Sequence, residues 1–176
     1  MLPLDRLREA VAVIRTELTL RDLKEHLGGA GVPFLVLKGV HLGAAYYPRP
    51  ELRPHVDIDI LVRRSSFPLA CTALERGGFK RMDPVPDRPA TERFFYNYSF
   101  VSRHGTVVEL HRHWAGHGRY PMDAEGFFQR SVSFRYGNTE VRGLCPEDLL
   151  LHLCVHMAKG YFACQQFKHL EDVAAV

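Results

Sequence analysis

The seven residues Val56-Asp57-Ile58-Asp59-Ile60-Leu61-Val62 constrain this chain more than any others. Aliphatic and β-branched residues favour a strand, whereas Asp is depleted in strands, so two acids inside this run need a reason. Side chains alternate faces along a strand. Asp57 and Asp59 therefore project on one side, while Val56, Ile58 and Ile60 point toward a core. Two adjacent carboxylates repel each other, and one is driven toward its neutral form unless a cation lies between them. Hard divalent ions, Mg2+ above all, take such oxygen ligands and bind triphosphates. A strand with one solvated face is the plainer alternative.

The rest of the chain supplies the setting. Leu4, Leu7, Val11, Ile14 and Leu18 recur at helical spacing. Thr19 and Asp22 resemble a capping box, which predicts a second helix through Leu20, Leu23 and Leu27. Pro33–Leu37 is a short apolar run, read as a buried strand that ends at Lys38-Gly39. A short helix is expected over Val40–Tyr47, followed by a Pro-rich loop. Further expected elements are a helix from Ser65 or Ser66 to Arg76, a hairpin turning at His104-Gly105 with strands 93–101 and 106–114, and a short helix from Asp123. A second hairpin is expected to turn at Gly137-Asn138, with helices beginning at Pro146 and about Phe162 after it. This order predicts an α+β fold, a mixed β-sheet followed by a helical segment. Residues 1–145 would form the core with its N-terminal helix, and 146–176 a C-terminal helical segment that ends in mid-helix, as a truncated chain would.

Composition narrows the class. A formal net charge of +3 over 176 residues is too mild to argue for nucleic-acid binding by itself. No apolar run approaches a membrane span, and the N-terminus lacks a signal core. The four cysteines, Cys71, Cys145, Cys154 and Cys164, form no Cys-x-x-Cys pair and read as reduced thiols. These features predict a cytoplasmic protein.

Several other residues could carry chemistry. Glu109, one acid among aliphatics in Val107-Val108-Glu109-Leu110-His111, could add a third carboxylate or act as a general base. His111, His113 and His117 have spacing that zinc could use. A solvated face, a core-edge position or a phosphate-binding patch with Arg112 and Arg119 competes with that reading. Lys38-Gly39 stands at a strand-to-helix turn where a phosphate could approach. Asp148, His152, His156 and Lys159 form one polar stripe on an otherwise apolar helix. They make either its solvent face or the wall of a cleft, where His156 and Lys159 would reach phosphates.

Taken in order, Leu37-Lys38-Gly39, Arg53, Asp57 to Val62, Gly77-Gly78-Phe79, Glu109-Leu110-His111, Pro146-Glu147-Asp148-Leu149-Leu150 and His156 resemble one family. It is the uncharacterised nucleotidyltransferase family of the DNA polymerase beta-like superfamily, and the resemblance runs from about Pro33 to Asp172. The resemblance implies a small mixed β-sheet flanked by helices, with three carboxylates holding two Mg2+ ions and Mn2+ a possible substitute. By position, Asp57, Asp59 and Glu109 match the metal ligands and catalytic acids. Lys38, Gly39 and Arg53 would bind the nucleotide, with His156 and Lys159. Lys38-Gly39 departs from the superfamily's usual Gly-Gly or Gly-Ser, and the family's His-Trp appears here as His111-Arg112-His113-Trp114. The implied reaction moves an NMP from an NTP to a hydroxyl on an RNA end, a protein or a small molecule, releasing pyrophosphate. The alternatives are a catalytically inactive nucleotide-binding or regulatory module, a metal-dependent hydrolase using His111, His113 and His117, and a glycosyltransferase.

Overall fold

The computed structural model of the chain describes residues 3–82, 97–114, 124–159 and 166–176, without the side chains of 159 and 166–169. It is built on a mixed sheet with helices on both faces. The N-terminal helix α1 (Leu4–Gly29) leads into β1 (Phe34–Val36), the short α2 (Gly39–Ala45) and a 3-10 turn at Pro50–Leu52. Strand β2 (Asp57–Val62), a 3-10 turn at Arg64–Ser66, α3 (Phe67–Arg76) and β3 (Lys80–Arg81) follow. After β4 (Asn97–Val101) and β5 (Val107–His111) come α4 (Ala124–Arg130), the hairpin of β6 (Val132–Tyr136) and β7 (Thr139–Gly143), α5 (Pro146–Lys159) and α6 (Gln166–Ala175). This is the predicted mixed sheet flanked by helices.

The strands are ordered β3-β4-β5-β2-β1-β7-β6. At the centre β2 runs antiparallel to β1 and parallel to β5, with Asp59 in register with Glu109. The period-two pattern sorts the two faces. Ile58, Ile60 and Val62 join Val108, Leu110, Tyr98 and Phe100 in the cluster under α1 and α3. Leu61 joins Leu35, Leu37, Trp114, Phe127, Leu149 and Leu153 in the cluster under α4 and α5. Each of these side chains is almost fully buried, worth roughly 1.5–3 kcal/mol apiece. The acids share the second face with Leu61. No helix among the described residues is long and apolar enough to cross a membrane.

Three expectations change. The expected pair of N-terminal helices is one continuous helix. The Thr19 hydroxyl does not cap a new helix but donates back to the Arg15 carbonyl at 2.7 Å and meets the Ser102 hydroxyl at 3.1 Å, so it is absorbed inside α1. Val56, expected in the core, is 87% exposed, because β2 begins only at Asp57. The strand expected over 93–101 is described from Asn97 and the last helix from Gln166; 93–96 and 162–165 lie outside the described residues. Cys71, Cys145 and Cys154 are free thiols, Cys154 exposed rather than buried, and Cys164 lies outside the described residues.

Candidate active site

The site grows out of the parallel pairing of β2 with β5. In register, Asp59 and Glu109 stand side by side, and the strand period brings His111 onto the same face two residues beyond Glu109. The His111 ring turns back along the strand. Its Nε2 lies 3.0 Å from Asp59 Oδ1 and 3.3 Å from Glu109 Oε2. Lys38 enters from the turn between β1 and α2, placing Nζ 3.2 Å from the second Asp59 oxygen. The Asn97 amide, on β4, donates to Glu109 Oε2 at 3.1 Å.

These contacts account for the charge state of each group. Burial pushes the Asp59 carboxyl up, but the His111 hydrogen bond and the Lys38 charge outweigh it and hold Asp59 well below the usual carboxylate range. Burial pushes the His111 imidazole down. The bonds to Asp59 and Glu109 outweigh that and raise it above its ordinary 6.5. Asp57, half-buried at the start of β2, is pushed up by burial and by the neighbouring Asp59. The cluster is thus a buried carboxylate held between Lys38 and His111, with two further acids around it.

Asp59, Glu109 and His111 each offer one ligand atom, and the three atoms lie within 4.8 Å of one another. The two carboxylate oxygens suit a hard divalent cation such as Mg2+, while the His111 Nε2 that hydrogen-bonds Asp59 orients them rather than offering a free lone pair. The fit is therefore good. Asp57 shares the strand face with Asp59 but is not part of this close trio. His113 is also outside it: β5 ends at His111, so the strand alternation that would align the two rings stops there. His117 lies outside the described residues.

The expected nucleotide-binding residues fall in different places. Lys38 is at the cluster. Gly39 opens α2, and a Cβ there would sit 3.1 Å from the Cβ of His55, so its missing side chain lets the 53–56 loop pack closely. Arg53 is placed elsewhere than expected. Its guanidinium is buried and forks onto Asp172 of α6 at 2.6 and 2.7 Å, which engages it in an internal ion pair rather than presenting it to a triphosphate. His156 is half-buried on α5, its ring 6.4 Å from that of His152. Lys159 closes α5, and its side chain lies outside the described atoms.

The first two residues of the polar stripe on α5, Asp148 and His152, turn inward rather than to solvent. Asp148 is buried, takes two hydrogen bonds from Arg130 at 2.9 and 3.0 Å, and accepts one from the Cys145 thiol. His152 is buried beside Trp114, and neither ring nitrogen has a hydrogen-bond partner among the described residues. Burial, then the Lys38 charge, pushes its imidazole down to about 3, so the ring is neutral. Sequence reasoning singled out His156 and Lys159 on this stripe and passed over His152, whose only signal was its place one turn before His156. It grouped His111 with His113 and His117 rather than with the acids, although Glu-x-His on one strand face was visible.

Comparison with other proteins agrees with this architecture. No curated protein matches the chain by sequence. Among solved structures, the fold is similar to that of the antibiotic-resistance factor ANT(2'')-Ia, with a TM-score of 0.58 at 16% identity over 91% of this chain and 82% of that one. It is similar to the lincosamide antibiotic adenylyltransferase LnuA, solved with lincomycin, at a TM-score of 0.56 and 16% identity over 90% and 92%. An antigenic nucleotidyltransferase-like protein from Paracoccidioides brasiliensis gives 0.55 at 15% identity over 95% and 73%. At these identities the likeness is one of fold. The family's own sequence signature reaches further, matching residues 4–176, and the chain belongs to the uncharacterised nucleotidyltransferase family.

Proposed function

We propose that the protein transfers a nucleoside monophosphate from an NTP to a hydroxyl group, with pyrophosphate as the leaving group, at the Asp57–Asp59–Glu109 face of the sheet. The observation that carries this reading is the register of Asp59 against Glu109, with His111 beside both, in a trio whose carboxylates fit a divalent ion. Asp59 and Glu109, with Asp57 at the strand start, would hold Mg2+ or Mn2+. Such ions, when bound, neutralise triphosphate oxygens and clamp the attacking and leaving oxygens of phosphoryl transfer.

The chain's own groups divide the remaining work. His111 fixes the orientation of the Asp59 and Glu109 carboxylates through its hydrogen bonds. Glu109, half-buried and open on one side, takes the proton from the acceptor hydroxyl. Lys38 supplies positive charge to the triphosphate. Positioning and charge neutralisation carry the catalysis, since phosphoryl transfer asks little covalent chemistry of the protein. LnuA is named a lincosamide antibiotic adenylyltransferase and ANT(2'')-Ia an antibiotic-resistance factor. A small hydroxylated molecule is accordingly the first acceptor class to test, ahead of RNA ends and proteins.

The test incubates the protein with each α-labelled NTP, Mg2+ and a cell extract, then follows label transfer and pyrophosphate. One NTP should label an acceptor, and Asp59→Asn should lower that rate at least about 100-fold. An Asp59→Asn protein as active as the parent, or no nucleotide-dependent product from the parent, would sink the reading.

A further inference from the structure

The two oxygens of Asp59 are both taken by side chains of the protein, one by His111 and the other by Lys38 Nζ at 3.2 Å. The Asp59 side chain is 2% exposed, whereas that of Lys38 is 20% exposed. A carboxylate buried to this degree needs positive neighbours, and the His111 contact occupies only one of its two oxygens, leaving the other for a second cation. Lys38 meets that need. A metal ion bound by Asp59 uses the same lone pairs, and an ammonium beside a dication is repelled. Lys38 is built to leave: its charge sits at the end of a flexible four-carbon stem, anchored at the turn between β1 and α2, and reaches partly into solvent.

We infer that Lys38 is a resident counter-ion of Asp59 that metal binding displaces, and that the displaced ammonium then engages the triphosphate, so that one lysine couples the two binding events. This inference rests on the metal site proposed above. Metal alone must evict Lys38 and leave its charge uncompensated beside a dication, so it binds weakly. Metal with a triphosphate gives the ammonium a new partner, so the pair binds tightly. The coupling is reciprocal, as any linkage between binding events must be.

The consequence is a pair of effects with opposite signs. Removing the lysine removes a competitor for Asp59 and strengthens metal binding in the absence of nucleotide. The same change removes a phosphate contact and weakens nucleotide binding in the presence of metal. A lysine with only a structural role would weaken both or neither.

The experiment titrates the whole chain and its Lys38→Met variant with Mn2+, reading free Mn2+ by electron paramagnetic resonance. The titration is repeated with the α,β-methylene analogue of the NTP that yields pyrophosphate in the assay above. Lys38→Met should bind Mn2+ alone at least about fivefold more tightly and the analogue with Mn2+ at least about fivefold less tightly. The first effect should survive about 0.5 M salt, which screens the influence of a merely nearby charge. Circular dichroism establishes that the variant is folded, and Lys38→Gln replaces it if Met is not tolerated. Unchanged or weaker Mn2+ binding by a folded variant, or unchanged binding of the analogue, overturns the inference while parental Mn2+ binding leaves the proposed site standing. Failure of the parent itself to bind Mn2+ overturns both.

Discussion

Asp59 and Asp172 are both buried carboxylates with cationic partners, and they are held in opposite ways. Asp172 receives the Arg53 guanidinium as a fork, at 2.6 and 2.7 Å, and the Tyr47 hydroxyl donates to it at 2.9 Å. Burial, then the bond to Asp172, pushes the Tyr47 phenol up to about 12, which keeps its proton in place as a donor. The planar fork matches the carboxylate and offers no easy exchange. This pair ties α6 to the loop before β2 across 119 positions of sequence. Asp59 instead has one flexible lysine and one histidine at 3.2 and 3.0 Å, with two more acids nearby. Equal burial thus serves two ends. A bidentate, saturated pair fixes the fold, while a carboxylate held by separate and replaceable cations is a site where charge can be exchanged.

The sharpest way to break this contrast is at Arg53. Arg53→Ala strands the Asp172 charge in the interior and should cost about 3–5 kcal/mol in unfolding free energy. Divalent ions should not recover the loss. Denaturant titration with and without Mg2+ checks it, and a loss under about 1 kcal/mol would mean that the pair is not a structural latch.

A smaller effect is expected at His111. His111→Leu removes hydrogen bonds to two carboxylates and should cost the metal-free protein about 1.5–3 kcal/mol at pH 6. The pH dependence carries the sign. A histidine whose pKa is raised on folding contributes stability that is complete below its unfolded value of 6.5 and is lost as pH rises through the folded value. The metal-free parent should therefore lose stability above pH 6.5, and His111→Leu should lack that alkaline decline. Parallel stability curves for the two proteins between pH 6 and 9 would count against a charged His111.

The smallest effect belongs to His152, a buried ring with no carboxylate partner among the described residues. Its folded pKa is depressed to about 3, so its contribution is present above pH 6.5 and is lost as pH falls toward 3. At pH 5.5 this group alone should cost the fold about 1 kcal/mol. His152→Phe should remove that acid sensitivity and leave the alkaline behaviour set by His111 unchanged. Identical acid limbs in parent and variant would show that His152 finds a partner for its proton.

Local pattern made much of this legible. Period-two alternation placed Asp57 and Asp59 on one face of β2 and Ile58 and Ile60 on the other, and the order of elements implied the mixed sheet. It failed where a residue's partner is far away in sequence. Thr19 has the chemistry of a helix cap, and only its contact with Ser102, 83 residues on, shows why it can sit inside α1. Arg53 was assigned to the nucleotide only by its place in the family's motif, because an arginine facing a cleft and one facing a buried acid are the same letter.

By itself, then, the sequence determined which side chains share a strand face, because that follows from backbone geometry over two residues. It determined a mixed sheet followed by a helical segment through the spacing of apolar residues. Only the tertiary structure decided that β5 lies parallel beside β2 with Glu109 opposite Asp59, that His111 turns back onto both acids, and that Arg53 belongs to Asp172. The physical reason is that charge energetics depend on distance and burial, and both are set by strand order and packing between segments that are remote along the chain.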